Sequence, residues 1–377
     1  MFALTGRSSR IEAIDFLRGL AVWMVLFRHH WFWPMMNKYG WIGVDLFFVL
    51  SGFLVSGLLF SEYKKFGSVK PGQFIIRRGF KIYPHFYLFL GLGFLAEGIY
   101  RLVFNEPKLE INLSKTIGEL LFVQNYVARI WSQTWSLAVE EHFYLGLAAT
   151  FLVFAGFRKF LNPWFFVPAV VLLLVFVLGE RIIIGNFNMK KVGFYYTHLR
   201  IDSLAFGVLL AYFNAFYKEK IAGFVQSYRY FLLLFSGLLL LIVYKNHLSP
   251  DFPKHDYFTI TIGLTLLYLG FGSLLAVFIY TSIYQNLKKI PGMKYLLDFT
   301  AWCGYCSYGI YLWHVFVEKY IIDVIEINIL KARADEYQII TFPLYIVATL
   351  LISYLATEYF ETPILKIRDR LVPKRIA

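Results

Sequence analysis

Ten mostly apolar stretches follow one another along the chain, at about 14–33, 41–60, 82–104, 136–157, 164–184, 198–216, 230–248, 257–280, 300–322 and 338–360. Each is close to the ~20 residues a helix needs to cross a bilayer. A backbone in hydrocarbon must satisfy its own N–H and C=O groups, so stretches of this length read as helices. The pattern predicts an all-α fold: a polytopic membrane bundle of about ten transmembrane helices, forming a single domain over 1–377. Composition supports this. Hydrophobic residues make up 59% of the chain and charged residues 16%, against roughly 45–50% and 25% in a soluble domain. So few charges cannot cover a water-soluble surface of this size, and a chain this apolar is not disordered.

The net charge of +13 would suggest nucleic acid in a soluble protein. Here its distribution points to topology instead. Lys64, Lys65, Lys70, Arg77, Arg78 and Lys81 crowd the connection after the second span, and alternate connections share the excess. The positive-inside rule then places both termini in the cytoplasm, as an even number of spans requires. The first span is broken by Arg18, runs long and lacks a small-x-small cleavage site, so it reads as retained rather than as a signal peptide. Cys303 and Cys306 stand in C-x-x-C spacing. No second Cys/His pair lies at ligand distance in sequence, so no metal site is expected.

The informative residues are the ionisable ones inside the spans, each costing at least ~2.5–3.5 kcal/mol at a helix centre. Asp15, Arg18, Arg28, His29 and His30 lie in the first span. Arg18 and His29 are separated by eleven residues, which puts them on one helix face about 16 Å apart along the axis. The short turn near Asn37 makes spans one and two an antiparallel hairpin, so His29 and Asp45 sit at one depth. A carboxylate there would hold the imidazole in one tautomer. Counting depth in the same way brings Glu140 and Glu141, Arg200 with Asp202, and His314 to nearby levels. Several spans thus carry polar groups to one layer, the pattern of a hydrated or substrate-filled cavity. His85 and His255 fall near span ends and receive no role.

Just before the third span, Arg78 and Lys81 share a helix face at i, i+3. With Arg77 they could anchor the cytoplasmic side or clamp phosphate. The connection 105–135, which holds Trp131 and Trp135, is long enough for a lid, a re-entrant piece or a plain loop.

Seven segments in order carry a resemblance. They are Ile14-Asp15-Phe16-Leu17-Arg18-Gly19-Leu20 with His29; Gly43-Val44-Asp45-Leu46-Phe47-Phe48-Val49-Leu50-Ser51-Gly52-Phe53; the basic motif ending Ile82-Tyr83-Pro84; and Trp135-Ser136-Leu137-Ala138-Val139-Glu140-Glu141-His142-Phe143-Tyr144. Arg200-Ile201-Asp202-Ser203-Leu204, Ser307-Tyr308-Gly309-Ile310-Tyr311-Leu312-Trp313-His314 and Phe360-Glu361-Thr362-Pro363 complete the set. Over about residues 11–365 the sequence resembles the acyltransferase-3 family of integral membrane O-acyltransferases. Lys81 stands where the family's Arg-x-x-Arg motif has a second Arg, and His142 where Gln is more usual. Some members carry a fused soluble domain after the membrane part; none is expected here.

The resemblance implies a multi-pass protein of the cell (inner) membrane that moves an acyl group, by resemblance acetyl, from cytoplasmic acyl-CoA to a hydroxyl of a carbohydrate or related cell-envelope acceptor. Acyl-CoA would be a co-substrate, with no permanently bound cofactor. Its phosphates would meet Arg77, Arg78, Lys81 and Arg18. Its pantetheine arm, roughly 15–20 Å long, would span the Arg18–His29 rise. His29 would act as general base, oriented by Asp45 or by Glu140 and Glu141. Arg200 or a group near His314 would steady the oxyanion, with Trp135 beside the substrate. The competing reading from another class is an exporter or flippase of a lipid-linked sugar, which also needs charges at mid-depth.

Overall fold

The computed structural model describes residues 9–30, 34–154, 161–186, 194–246, 257–329, 338–373 and 375. Among these residues there is no strand. The principal helices are α1 (Ser9–His29), α2 (Gly43–Phe66), α3 (Pro71–Phe104), α4 (Leu113–Leu120), α5 (Thr134–Phe154), α6 (Pro163–Asn186), α7 (Ile201–Phe216), α8 (Arg229–Asn246), α9 (Leu264–Tyr280), α10 (Met293–Tyr305), α11 (Ser307–Val317), α12 (Gln338–Leu355) and α13 (Thr362–Leu371). Short π-helical turns precede α9, follow α11 at Glu318–Ile322, and join α12 to α13.

Seven helices among the described residues are long and apolar enough to cross a membrane: Met35–Phe66, Pro71–Phe104, Thr134–Phe154, Pro163–Asn186, Arg229–Asn246, Thr259–Tyr280 and Gln338–Leu371. Ten were expected, and seven meet both requirements. Each of the other three apolar stretches forms helix but lacks one requirement. α1 carries Glu12, Asp15, Arg18 and Arg28. α7 has only 16 residues. The ninth stretch is interrupted at Cys306, between α10 and α11. Both cysteines there are free and buried.

Local chemistry sets several boundaries. Gly67 ends α2 in the left-handed region at φ 66°, donating its N–H to the Tyr63 carbonyl. Pro71 then opens α3, whose missing N–H is harmless in a first turn. Because α3 starts this early, Arg77, Arg78 and Lys81 lie within the helix, not ahead of it. The Asn112 side chain caps α4 by accepting from Lys115 N–H at 2.9 Å.

Packing ranks the helices by depth. α2 is buried along most of its length, whereas α6 and α8 turn Leu172, Phe176, Phe231 and Leu234 outward. Outward apolar side chains are what a lipid-facing helix presents, since lipid supplies no drive to bury them. Within the bundle, van der Waals contact between close backbones does the holding. Gly52 on α2 lies against the Leu204 carbonyl of α7, and Gly304 on α10 against the Asp15 carbonyl of α1, and a Cβ at either position would overlap that oxygen.

The connection 105–133 is neither open nor featureless. One carboxylate oxygen of Glu119 on α4 accepts from Ile130 N–H at 2.9 Å, Trp131 N–H at 3.2 Å and the Thr134 hydroxyl at 3.0 Å. This ties the loop to the start of α5, and the Trp131 ring packs on Phe89. Burial pushes the Glu119 carboxyl up to about 7, against the pull of those donors. A folded pKa above the ordinary 4.5 means the unfolded chain loses its proton first. Stability should therefore be fully present below about pH 4.5 and fall as pH rises through about 7. Thermal unfolding of detergent-solubilised protein should show this decline, and Glu119→Gln, which keeps an accepting oxygen and has no proton to lose, should flatten it.

Candidate active site

The polar groups of α1, α2, α3, α5 and the α10–α11 junction surround a cavity of about 600 Å³. Its wall includes Arg18, Ser51, Arg78, Lys81, Glu140, Glu141, Ser136, Ser307 and Tyr311. Each charge is held by a neighbour. Arg18 donates to the Ser307 hydroxyl at 2.8 Å and pairs with Asp15 at 3.4 Å. Arg78 donates to the Tyr144 hydroxyl at 2.6 Å, with its guanidinium 4.3 Å over the same ring. Tyr144 in turn donates to Glu140 at 2.6 Å, one turn back on α5. Tyr83 donates to Glu141 at 3.0 Å. The cavity therefore combines three cations with three carboxylates, Asp15 among them, in a largely apolar shell.

A second cavity of about 540 Å³ adjoins it. The two share Val55, Arg78 and Lys81, so these residues form a neck between them. The second chamber adds Lys65, Arg77, Arg368 and Arg375. Arg77 does not reach the inner cavity. It donates to the Val372 carbonyl and pairs with Asp369 at 2.6 Å. Lys81 is paired with the buried Glu361.

From the sequence, His85 has no role and Glu361 none beyond its motif. Both are buried and bonded. His85 Nδ1 lies 3.1 Å from Glu361, and Trp313 Nε1–H donates to His85 Nε2 at 2.9 Å. An acceptor at Nε2 places the proton on Nδ1, so this imidazole is fixed as a donor to Glu361. It locks α3, α11 and the end of the last span around Lys81. His255 lies outside the described residues.

The partners expected for His29 are not the ones it meets. Asp45 accepts from Arg200 at 2.8 Å, both wholly buried. Arg200 lies 4.8 Å over Phe194, 5.4 Å over Phe48 and 5.5 Å over Trp135. Arg200 and Asp45 therefore form a buried ion pair in an aromatic box that includes Trp135, and neither Arg200 nor Trp135 lines the cavity. Depth counting placed Asp45 level with His29 but left open which way around α2 it points. Glu140 and Glu141 likewise face Arg78 and Tyr83, not His29. Asp202 pairs with Arg181 of α6 at 2.7 Å, a partner the sequence reading did not consider.

His29 meets α11 and the π-turn after it. Its ring centroid is 4.7 Å from that of His314, and its Nδ1 is 3.6 Å from Glu318. His314 Nδ1 lies 2.6 Å from the Tyr311 carbonyl and must donate to it. Tyr311 separates this imidazole pair from the cavity, with its hydroxyl 2.5 Å from Ser136 Oγ. Tyr311 lines the cavity, and neither imidazole does. His30 points elsewhere, its ring stacked on Tyr345 at 5.5 Å. His142 Nδ1 is 2.7 Å from the Thr197 hydroxyl, a hydrogen-bonding role.

Glu318 was missed although a signal exists: it stands four residues after His314, the spacing that puts two side chains on one helix face. Tyr83, Tyr144 and Tyr311 were passed over as part of an aromatic background that is 20% of the chain.

The acyltransferase domain family model matches residues 11–358. The chain is 30% identical over 387 residues to the peptidoglycan O-acetyltransferase OatA of Listeria monocytogenes, an alignment covering 96% of this chain and 57% of the relative. It is 26% identical over 383 residues to the O-acetyltransferase OatA of Staphylococcus aureus strain NCTC 8325, covering 94% of the chain and again 57% of the relative. The chain therefore spans a little over half the length of these curated relatives. No solved structure matches it. A family match over nearly the whole length of this helical bundle means that the chain belongs to the acyltransferase-3 family.

Proposed function

We propose that the protein is a membrane O-acetyltransferase that moves an acetyl group from cytoplasmic acetyl-CoA to a hydroxyl of a cell-envelope glycan. One observation carries the donor half of this reading: two adjoining cavities meet at the basic neck of Arg78 and Lys81. The outer chamber, with Arg77, Arg368 and Arg375, suits nucleotide phosphates. Guanidinium forks match phosphate oxygens. The inner cavity, mostly apolar with a few polar groups, suits an extended pantetheine arm and its thioester. In this reading the basic end of α3 faces the cytoplasm of the inner membrane, as do both termini.

The acceptor half rests on His29 and on the names of the relatives. His29, neutral, takes the proton of the acceptor hydroxyl as its oxygen attacks the thioester carbon. Ser136 and Tyr311, at the end of the cavity, donate to the oxyanion in place of Arg200. The C–S bond breaks, and the proton on His29 leaves with the CoA thiolate. Rotation of the Tyr311 side chain opens the path from the cavity to His29.

The test is radiolabelled acetyl-CoA with purified protein and glycan fragments of peptidoglycan. Arg78→Gln keeps a donor for the Tyr144 hydroxyl but loses the charge. A charge-assisted contact is worth about 1.5–3 kcal/mol, so KM for acetyl-CoA should rise ~10–100-fold. Calorimetry showing no CoA binding to the wild-type protein would refute the donor assignment.

A further inference from the structure

We infer that Glu318 is the carboxylate that positions His29 for acyl transfer. The inference rests on His29 as the base, the reading proposed above.

Glu318 Oε2 lies 3.6 Å from His29 Nδ1, with the two side chains 26% and 27% exposed. That is slightly long for a hydrogen bond. Catalytic hydrogen bonds are often loose before substrate arrives and tighten in the complex. The residue is placed by its helix. His314 and Glu318 are four apart, so one face of α11 presents a ring and then a carboxylate to the same imidazole. Glu318 also opens the π-helical turn Glu318–Ile322. A π-turn inserts a residue into the helical register, and such turns collect at functional sites.

The hydrogen-bond chemistry gives each nitrogen one role. His314 Nδ1–H is spent on the Tyr311 carbonyl, and its Nε2 is buried without a partner. His314 therefore presents a lone pair and cannot anchor His29 as an anion would. Glu318 can: accepting from His29 Nδ1–H leaves Nε2 of His29 bare to take the acceptor's proton, and the carboxylate then offsets the imidazolium. Arg28 and Lys319, adjacent in sequence to the two partners, add positive charge nearby and increase the need for that counter-charge. Asp45 cannot serve, because its charge is committed to Arg200.

The experiment compares steady-state acetyl transfer by wild type, Glu318→Gln, Glu318→Asp and His29→Ala, each reconstituted in lipid nanodiscs. Loss of an orienting carboxylate should lower kcat of Glu318→Gln ~100-fold while KM for acetyl-CoA stays within ~2-fold. Glu318→Asp should recover at least ~10-fold of that loss. A Glu318→Gln kcat within ~3-fold of wild type, or a loss confined to KM, overturns the inference. If Glu318→Gln does not fold, Glu318→Asp decides alone: kcat reduced with KM unchanged supports the role, and an unchanged kcat overturns it. An inactive His29→Ala beside an active Glu318→Gln defeats only the Glu318 assignment. A fully active His29→Ala defeats the base reading and Glu318 with it.

Discussion

Replacing His29 by alanine should abolish detectable acetyl transfer while leaving a folded, monodisperse protein. The ring makes edge contact with His314 and approaches Glu318 at 3.6 Å, and its side chain is 27% exposed. Removing it opens a small space without stranding a fully buried charge, so the expected cost in stability is ordinary. The cost in rate is not. A positioned base contributes typically 10²–10⁴-fold, and the neighbouring imidazoles are placed differently: His314 is wholly buried and tied through Nδ1 to the Tyr311 carbonyl, and His30 stacks on Tyr345. Measured by label transfer from acetyl-CoA, the loss should fall in kcat. Binding of CoA by calorimetry should be unchanged, because Arg77, Arg78 and Lys81, the residues proposed for its phosphates, line the two cavities and His29 lines neither. Retained turnover in a folded His29→Ala variant would remove the base from the mechanism.

The largest stability effect is expected at Arg200. Arg200→Met should destabilise the protein by about 3–5 kcal/mol, the cost of leaving a buried partner uncompensated. The stranded group is Asp45, which is wholly buried and, among the described residues, bonded through one oxygen to Arg200 alone. The double variant Arg200→Met, Asp45→Asn should recover much of that loss, since removing both members of a buried pair is often close to neutral. Thermal unfolding in detergent tests both statements. A single variant as stable as wild type would show that the pair is not what holds α2 against the start of α7. If instead the double variant folds well but transfers acetyl poorly, the aromatic box around Arg200 would have a further part in positioning Trp135 and Ser136.

The two predictions differ in how far the sequence could foresee them. His29 stands out in the sequence as one of few ionisable groups in an apolar stretch, and its eleven-residue separation from Arg18 defines a face. The same arithmetic named Arg78, Lys81, Glu140 and Glu141, and all four line the inner cavity. Pairing was a different matter. Asp45 was assigned to His29 by depth and is bonded to Arg200, 155 positions away. Arg181 passed unnoticed at the end of an apolar run, though it neutralises Asp202. His85 looked incidental and is locked between Glu361 and Trp313.

Hydropathy and depth are properties of a helix taken by itself, and the sequence by itself determined both: apolar length dictates that the backbone be helical in hydrocarbon, and a rise of 1.5 Å per residue dictates the level of each polar group. Only the tertiary structure decided which helices are neighbours and which way each is turned. That choice rests on close backbone approach at glycines such as Gly52 and Gly304 and on pairing buried charges between helices, as Arg200 with Asp45 and Arg181 with Asp202. Those are constraints between helices, and no single stretch of sequence contains them.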